Sequence, residues 1–151
     1  MTQEYAVGAT EPRKVEIFYH SRRAAEFYPI LMSQVATFPN QDSVRNLTKL
    51  GLYEKAAVVE VPSGLEANEA LEIAYTKTQN IDDAWTKNEG VTVVTDFPRS
   101  SMSGDVFVID GKPFTVAMFG FTALDSFDPV AEAPQKPVRS RVELDDEGPS
   151  L

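Results

Sequence analysis

Cysteine is absent from the 151 residues, and histidine and tryptophan occur once each. The missing cysteine excludes disulfides, thiolate metal sites and thiol nucleophiles together. With His20 as the only histidine, a multi-histidine metal centre is excluded, and a histidine-based triad has one residue to form around. The 8 glycines include neither a P-loop nor a GxGxxG pattern after a strand, so no phosphate cradle is spelled out. No apolar run approaches the roughly 18 residues that cross a bilayer as a helix. The opening MTQEYAVGATEPRK lacks the basic-then-apolar order of a secretory signal. The expectation is a soluble cytoplasmic protein without a membrane partner.

What is present is enough for one folded domain. Hydrophobic residues make up 42% of the chain, which rules out wholesale disorder. The length fits one domain with a tail. Net charge is −9, from 23 acidic and 14 basic side chains. That balance repels phosphate backbones over about a Debye length, roughly 8 Å in physiological salt, and disfavours direct nucleic-acid binding. It favours encounter with a protein of basic surface, although acidity also serves plain solubility. Arg13, Lys14, Arg22 and Arg23 are the notable basic group.

Residues 1–12 read as a flexible arm. Lys14 to His20 alternates polar and apolar residues and predicts a strand. Ser21 is placed to cap a helix from Arg22, which Pro29 breaks or restarts. Asp42 is expected to cap a short helix to about Leu50, and Ala56 to Val61 reads as a central strand ended by Pro62. Ser63 and Glu66 have capping-box spacing ahead of an amphipathic helix whose inner face is Ala67, Ala70, Leu71, Ala74, Tyr75 and Thr78. A second short helix, Ile81 to Lys87, is expected to follow Asn80 and to anchor through Trp85. Val91 to Val94 is β-prone.

Asp105 to Ile109 and Phe114 to Phe119 predict the last two strands, joined at Asp110-Gly111, where a tight primed turn needs positive φ. Phe119-Gly120-Phe121 reads chiefly as buried core. From Asp125 the apolar periodicity ends, and residues 125–151 read as a disordered, proline-rich acidic tail. The expected fold is therefore α+β: one domain over residues 13–124, a mixed or antiparallel sheet of about four or five strands, and helices packed on one face.

Chemistry is sparse. Asp82-Asp83 and Asp145-Asp146 are adjacent pairs, which on a helix point about 100° apart and make no focused dyad. Ser100, Ser101 and Ser103 lack a nucleophile-elbow context and read as turn builders with Gly104 and Asp105. No catalytic, cofactor-binding or metal-binding residue is expected. Glu66, Glu69 and Glu72 recur every three residues, stepped by about 4.5 Å along a helix flank. Together with Asp82 and Asp83 they are the expected partner-binding residues.

The run Ser101-Met102-Ser103-Gly104-Asp105-Val106, followed by Asp110-Gly111-Lys112 and Phe119-Gly120-Phe121, resembles small domains encoded by phages and mobile elements, and its ending is similar to the YodL-like family. Asn80-Ile81-Asp82-Asp83-Ala84-Trp85 resembles the helix that precedes this turn there. The resemblance spans about Leu65 to Leu124. It implies a non-enzymatic accessory protein that binds and modulates a host protein, in its sharpest form as an anti-defence inhibitor mimicking nucleic acid. The alternatives are a nucleic-acid-binding accessory protein using Arg13, Lys14, Arg22 and Arg23, a minor virion component, or a small carboxylate-assisted hydrolase.

Overall fold

The computed structural model describes residues 13–129. Among them six strands form one antiparallel sheet in the order β3-β2-β1-β4-β5-β6. Strand β1 (Arg13–His20) lies at the centre, between β2 (Tyr53–Val61) and β4 (Val106–Ile109). The edges are β3 (Val91–Val93) and β6 (Phe121–Ala123), and β5 (Lys112–Val116) completes the last hairpins. The fold is α+β, as the residue pattern predicts.

Alternation along β1 sends Val15, Ile17 and Tyr19 to one side of the sheet, where α4 (Ala67–Lys77) covers them with Ala70, Leu71 and Ala74. Phe107, Ile109 and the fully buried Trp85 fill the same layer. Phe18 faces the opposite layer. There α1 (Arg22–Phe27), α2 (Pro29–Thr37) and α3 (Gln41–Thr48) contribute Ala24, Val35, Val44 and Leu47 against Tyr53 and Val106. The helices thus lie on both faces, not one. The cause is Phe18 on β1 with Val106 and Val108 on β4, apolar side chains on the face away from α4 that also need cover.

Several boundaries move for identifiable reasons. Asn40, not Asp42, caps α3: its Oδ1 accepts from Ser43 N at 2.9 Å, while Ser43 Oγ accepts from Asn40 N at 3.1 Å. The capping pair of α4 sits one turn later than Ser63 and Glu66, with Glu66 at the cap and its N–H donating to Glu69 Oε1 at 3.3 Å. The segment after Asn80 makes only a 3-10 turn at Trp85–Lys87, because Asn80 Oδ1 takes the Trp85 N–H at 2.9 Å. The strand expected to run to Phe119 stops at Val116, and Phe121–Ala123 forms a sixth.

Asp110 and Gly111 turn with φ of 53° and 75°, the positive pair a primed hairpin requires. Beyond Leu124 the chain stays packed through Pro129. Gln41 Oε1 accepts from the backbone N–H groups of Asp125 and Ser126, and Phe127 meets the edges of Phe18 and Tyr53 at 5.2 Å. The expected tail therefore gives up residues 125–129 to the fold. Its remainder, residues 130–151, and the expected arm, residues 1–12, lie outside the described residues. Among the described residues no helix is long and apolar enough to cross a membrane.

Candidate functional site

The serine-rich turn before β4 builds the most connected polar cluster of the fold. Asp105, fully buried, accepts four hydrogen bonds, the full capacity of a carboxylate. Arg99 Nη1 and Nη2 donate to its two oxygens at 2.8 Å each, and the N–H groups of Met102 and His20 donate at 2.7 and 3.1 Å. The guanidinium also donates to the His20 carbonyl at 3.1 Å and stacks 4.1 Å above the Tyr19 ring. A bidentate pair of this kind fixes position as well as charge.

Each serine of the turn ties a different element. Ser101 Oγ is shared with Thr78 at 2.7 Å and Tyr19 at 3.0 Å, which joins α4 to β1. Ser103 Oγ donates to the Ala36 carbonyl at 2.7 Å, and Ser100 Oγ accepts from Asn80 N at 2.8 Å. Gly104 has φ of +90°, and a Cβ there would stand 3.0 Å from the Val35 carbonyl oxygen, so the helical layer seats directly on it. Tyr53 adds a hydroxyl bond to the Gly104 carbonyl at 2.7 Å. The turn holds both helical layers to the end of β1.

His20 is closed into the same cluster. Its Nε2 lies 3.1 Å from the Ser103 carbonyl, and Nδ1 lies 3.3 Å from Arg99 Nη2. That arrangement suits the neutral ring protonated at Nε2, with Nδ1 accepting from the guanidinium. Burial lowers its pKa below the usual 6.5; Asp105 raises it in part and Arg99 lowers it further. Burial likewise pushes Tyr19 up to about 12 and Tyr53 well above its usual range.

A histidine depressed in the folded state contributes stability that is complete above its unfolded value of 6.5 and is lost as pH falls through the folded value. Unfolding free energy is therefore expected to drop below pH 6.5 by up to about 1.4 kcal/mol per pH unit from this group. His20→Gln should flatten that part of the curve in denaturant titrations run across pH. An unchanged slope in the variant would contradict the assignment.

The five expected partner-binding residues are all exposed, but they do not converge on one point. Glu66 and Glu69 start α4 and serve its cap. Glu72 lies farther along the helix, at the rim of a hollow of ≈ 200 Å³ that also includes Tyr75, Val116 and Phe121. Asp82 and Asp83 lie beyond its C-terminal end, around a second hollow of ≈ 580 Å³ with Thr76, Ile81 and Glu89. Asp83 pairs with Lys87 at 3.6 Å, both well exposed, a contact of little energetic weight. The acidic side chains thus track α4 from one end to the other.

The basic group is not a patch. Arg13 is paired with Asp110 at 2.8 Å, and Arg22 lies 4.1 Å over the Phe97 ring. Arg13 and Lys14 open β1, whereas Arg22 and Arg23 follow its other end in α1, and the eight-residue strand between them spans roughly 25 Å. Among the described residues no group of three histidine, cysteine or carboxylate side chains could hold a metal ion.

The residue pattern expects the apolar cluster Phe27, Tyr28, Ile30, Leu31 and Met32 to be largely buried. Phe27 is 67% and Ile30 73% exposed, because α1 and α2 turn only Ala24 and Val35 fully into the core. Other exposed apolar side chains also escaped the pattern. Ile81, where a short helix was expected to begin, is 72% exposed. Phe119, read as core, is 90% exposed beside Met118 at 81%, while Phe121 packs inward against Phe107 and Tyr75. The available signal was the isolation of Ile81 among Asn80, Asp82 and Asp83, with the polar Lys77 and Thr78 one turn before it. For Phe119 it was Gly120, whose φ of +86° places a turn between the two phenylalanines. Compared with known proteins, the chain matches no family model, no curated protein and no solved structure.

Proposed function

We propose that this protein acts by contact: a small acidic accessory protein that binds and modulates a host protein with a basic surface, in the cytoplasm. The observation that carries the reading is Ile81, 72% exposed beside a hollow of ≈ 580 Å³ where Asp82, Asp83 and Glu89 outnumber Lys77. An apolar anchor inside a charged rim is the composition of a binding patch, in which the anchor supplies affinity and the rim supplies specificity. Glu72 prolongs the same acidity along α4, which favours steered encounter with a cation-rich surface. The phage-type character rests on the quoted turn residues alone.

Mimicry of a nucleic-acid backbone has less behind it. Glu69 turns its carboxylate back to the Glu66 N–H, so the three-residue repeat is partly spent on capping the helix. Direct nucleic-acid binding is weaker still, given the separation of Arg13 and Lys14 from Arg22 and Arg23.

The test is affinity capture on the immobilised full chain from host lysate at low and high salt. A specific protein should be retained at low salt, released at high salt, and lost with the Asp82→Lys/Asp83→Lys variant. Retention that ignores both salt and the charge reversal would defeat the proposal.

A further inference from the structure

We infer that the β5–β6 turn is the apolar half of the same interface, and that the partner segment it receives is a basic amphipathic helix; this rests on the reading that the acidic face binds a protein. The turn closes tightly, with Ala117 N donating to the Gly120 carbonyl at 2.9 Å. Met118 and Phe119 occupy its two central positions at 81% and 90% exposure. Nothing in turn geometry calls for apolar residues there, since small and polar ones serve such positions best. Single exposed apolar side chains are ordinary, but two adjacent ones at the tip of a hairpin form a knob.

Beside the knob is a hole. The hollow of ≈ 200 Å³ has Tyr75, Val116, Met118 and Phe121 as apolar walls, with Glu72 and Thr76 at its rim. Small-molecule sites run from about 300 to 1,000 Å³, so this one suits a side chain better than a metabolite. Thr76 lines this hollow and the one around Ile81, so the two adjoin along α4. The smaller hollow is an apolar recess and the larger one adds Ile81 as an exposed apolar contact amid polar residues; a second helix laid along α4 meets the two with anchors at i, i+3 or i+4, and i+7.

Charge decides what that helix is. Glu72 borders one hollow, and around the other Asp82, Asp83 and Glu89 outnumber Lys77. A second copy of this chain would set carboxylates against carboxylates, which costs affinity and disfavours a symmetric pair. A helix with leucine-like residues on one face and lysine or arginine beside them seats an apolar side chain in the smaller hollow, covers Ile81, and sets its cations beside the surrounding carboxylates.

The test titrates the full chain with a synthetic amphipathic helical peptide of leucine and lysine, and separately with its leucine–glutamate counterpart, while following backbone amide NMR signals. Only the lysine peptide should bind. It should move the signals of Glu72, Tyr75, Thr76 and residues 116–121, and should bind Phe119→Ser roughly tenfold more weakly. The substitution lies in an exposed turn, so unchanged signals elsewhere report a retained fold.

Equal affinity for the variant, shifts centred on another surface, equal binding of the glutamate peptide, absence of binding, or a dimer that depends on Phe119 would each overturn the inference. The acidic-face reading fails on a different arm: Asp82→Lys/Asp83→Lys would then bind the lysine peptide as tightly as the unaltered chain.

Discussion

Replacing Asp105 with alanine is expected to remove about 3 kcal/mol of folding free energy, seen as a fall of roughly 1–3 M in the urea midpoint. The carboxylate is fully buried and takes four donors, so its loss strands the Met102 and His20 N–H groups as well as the Arg99 guanidinium. Breaking one side of a buried pair costs about 3–5 kcal/mol because the remaining charge stays without a partner. Arg99 keeps 33% of its side chain exposed, and water there softens the penalty toward the lower end.

A double variant sharpens the test. Arg99→Met combined with Asp105→Leu removes both charges and should recover part of the loss, but not all of it. The two N–H groups remain without an acceptor, at about 1–3 kcal/mol each. Full recovery would mean that the ion pair alone mattered. A single Asp105→Ala effect under about 1 kcal/mol would mean that the turn does not hold the two helical layers together.

The same cluster shows what the residue order reveals and where it stops. Ser100, Ser101, Ser103, Gly104 and Asp105 announce a turn because their types satisfy backbone groups locally and accept positive φ. Their partners are Tyr19, Ala36, Tyr53 and Thr78, spread from β1 to α4, and no local periodicity links them. The Asp110-Gly111 hairpin was legible for a similar local reason. The inner face of α4 was legible because Ala70, Leu71 and Ala74 repeat at helical spacing.

The misses have physical causes as well. The sixth strand is only three residues long, and Ala117, Met118 and Phe119 before it extend the apolar run of β5 without a visible break. A tight turn made of apolar residues looks like strand in composition, so only Gly120 marks it. The second helical layer was hidden because Phe18, which faces it, stands among polar neighbours on its side of β1, where Glu16 is occupied with Lys55 at 2.9 Å. Phe127 was lost in a proline-rich, acidic composition although it packs against Phe18 and Tyr53. Around the larger hollow, the pattern singled out Asp82 and Asp83 but not the exposed Ile81 beside them.

Trp85→Ala is expected to cost about 3–5 kcal/mol, the range for emptying the site of a large buried aromatic. Trp85 is fully buried, meets the Tyr19 ring edge-on at 6.5 Å, and donates Nε1–H to the Arg99 carbonyl at 2.7 Å. Trp85→Phe should cost far less, about 1–2 kcal/mol, because that carbonyl still accepts from the Tyr19 hydroxyl at 2.9 Å and is not stranded. Thermal melts followed by circular dichroism measure both. The pair also separates anchoring from recognition, since Trp85 holds down the segment that displays Ile81, Asp82 and Asp83. Phenylalanine should preserve capture of the partner at low salt, whereas alanine should weaken it at temperatures where the variant remains folded, because the displayed residues lose their fixed footing. Equal capture by both variants would show that recognition does not depend on how this segment is held.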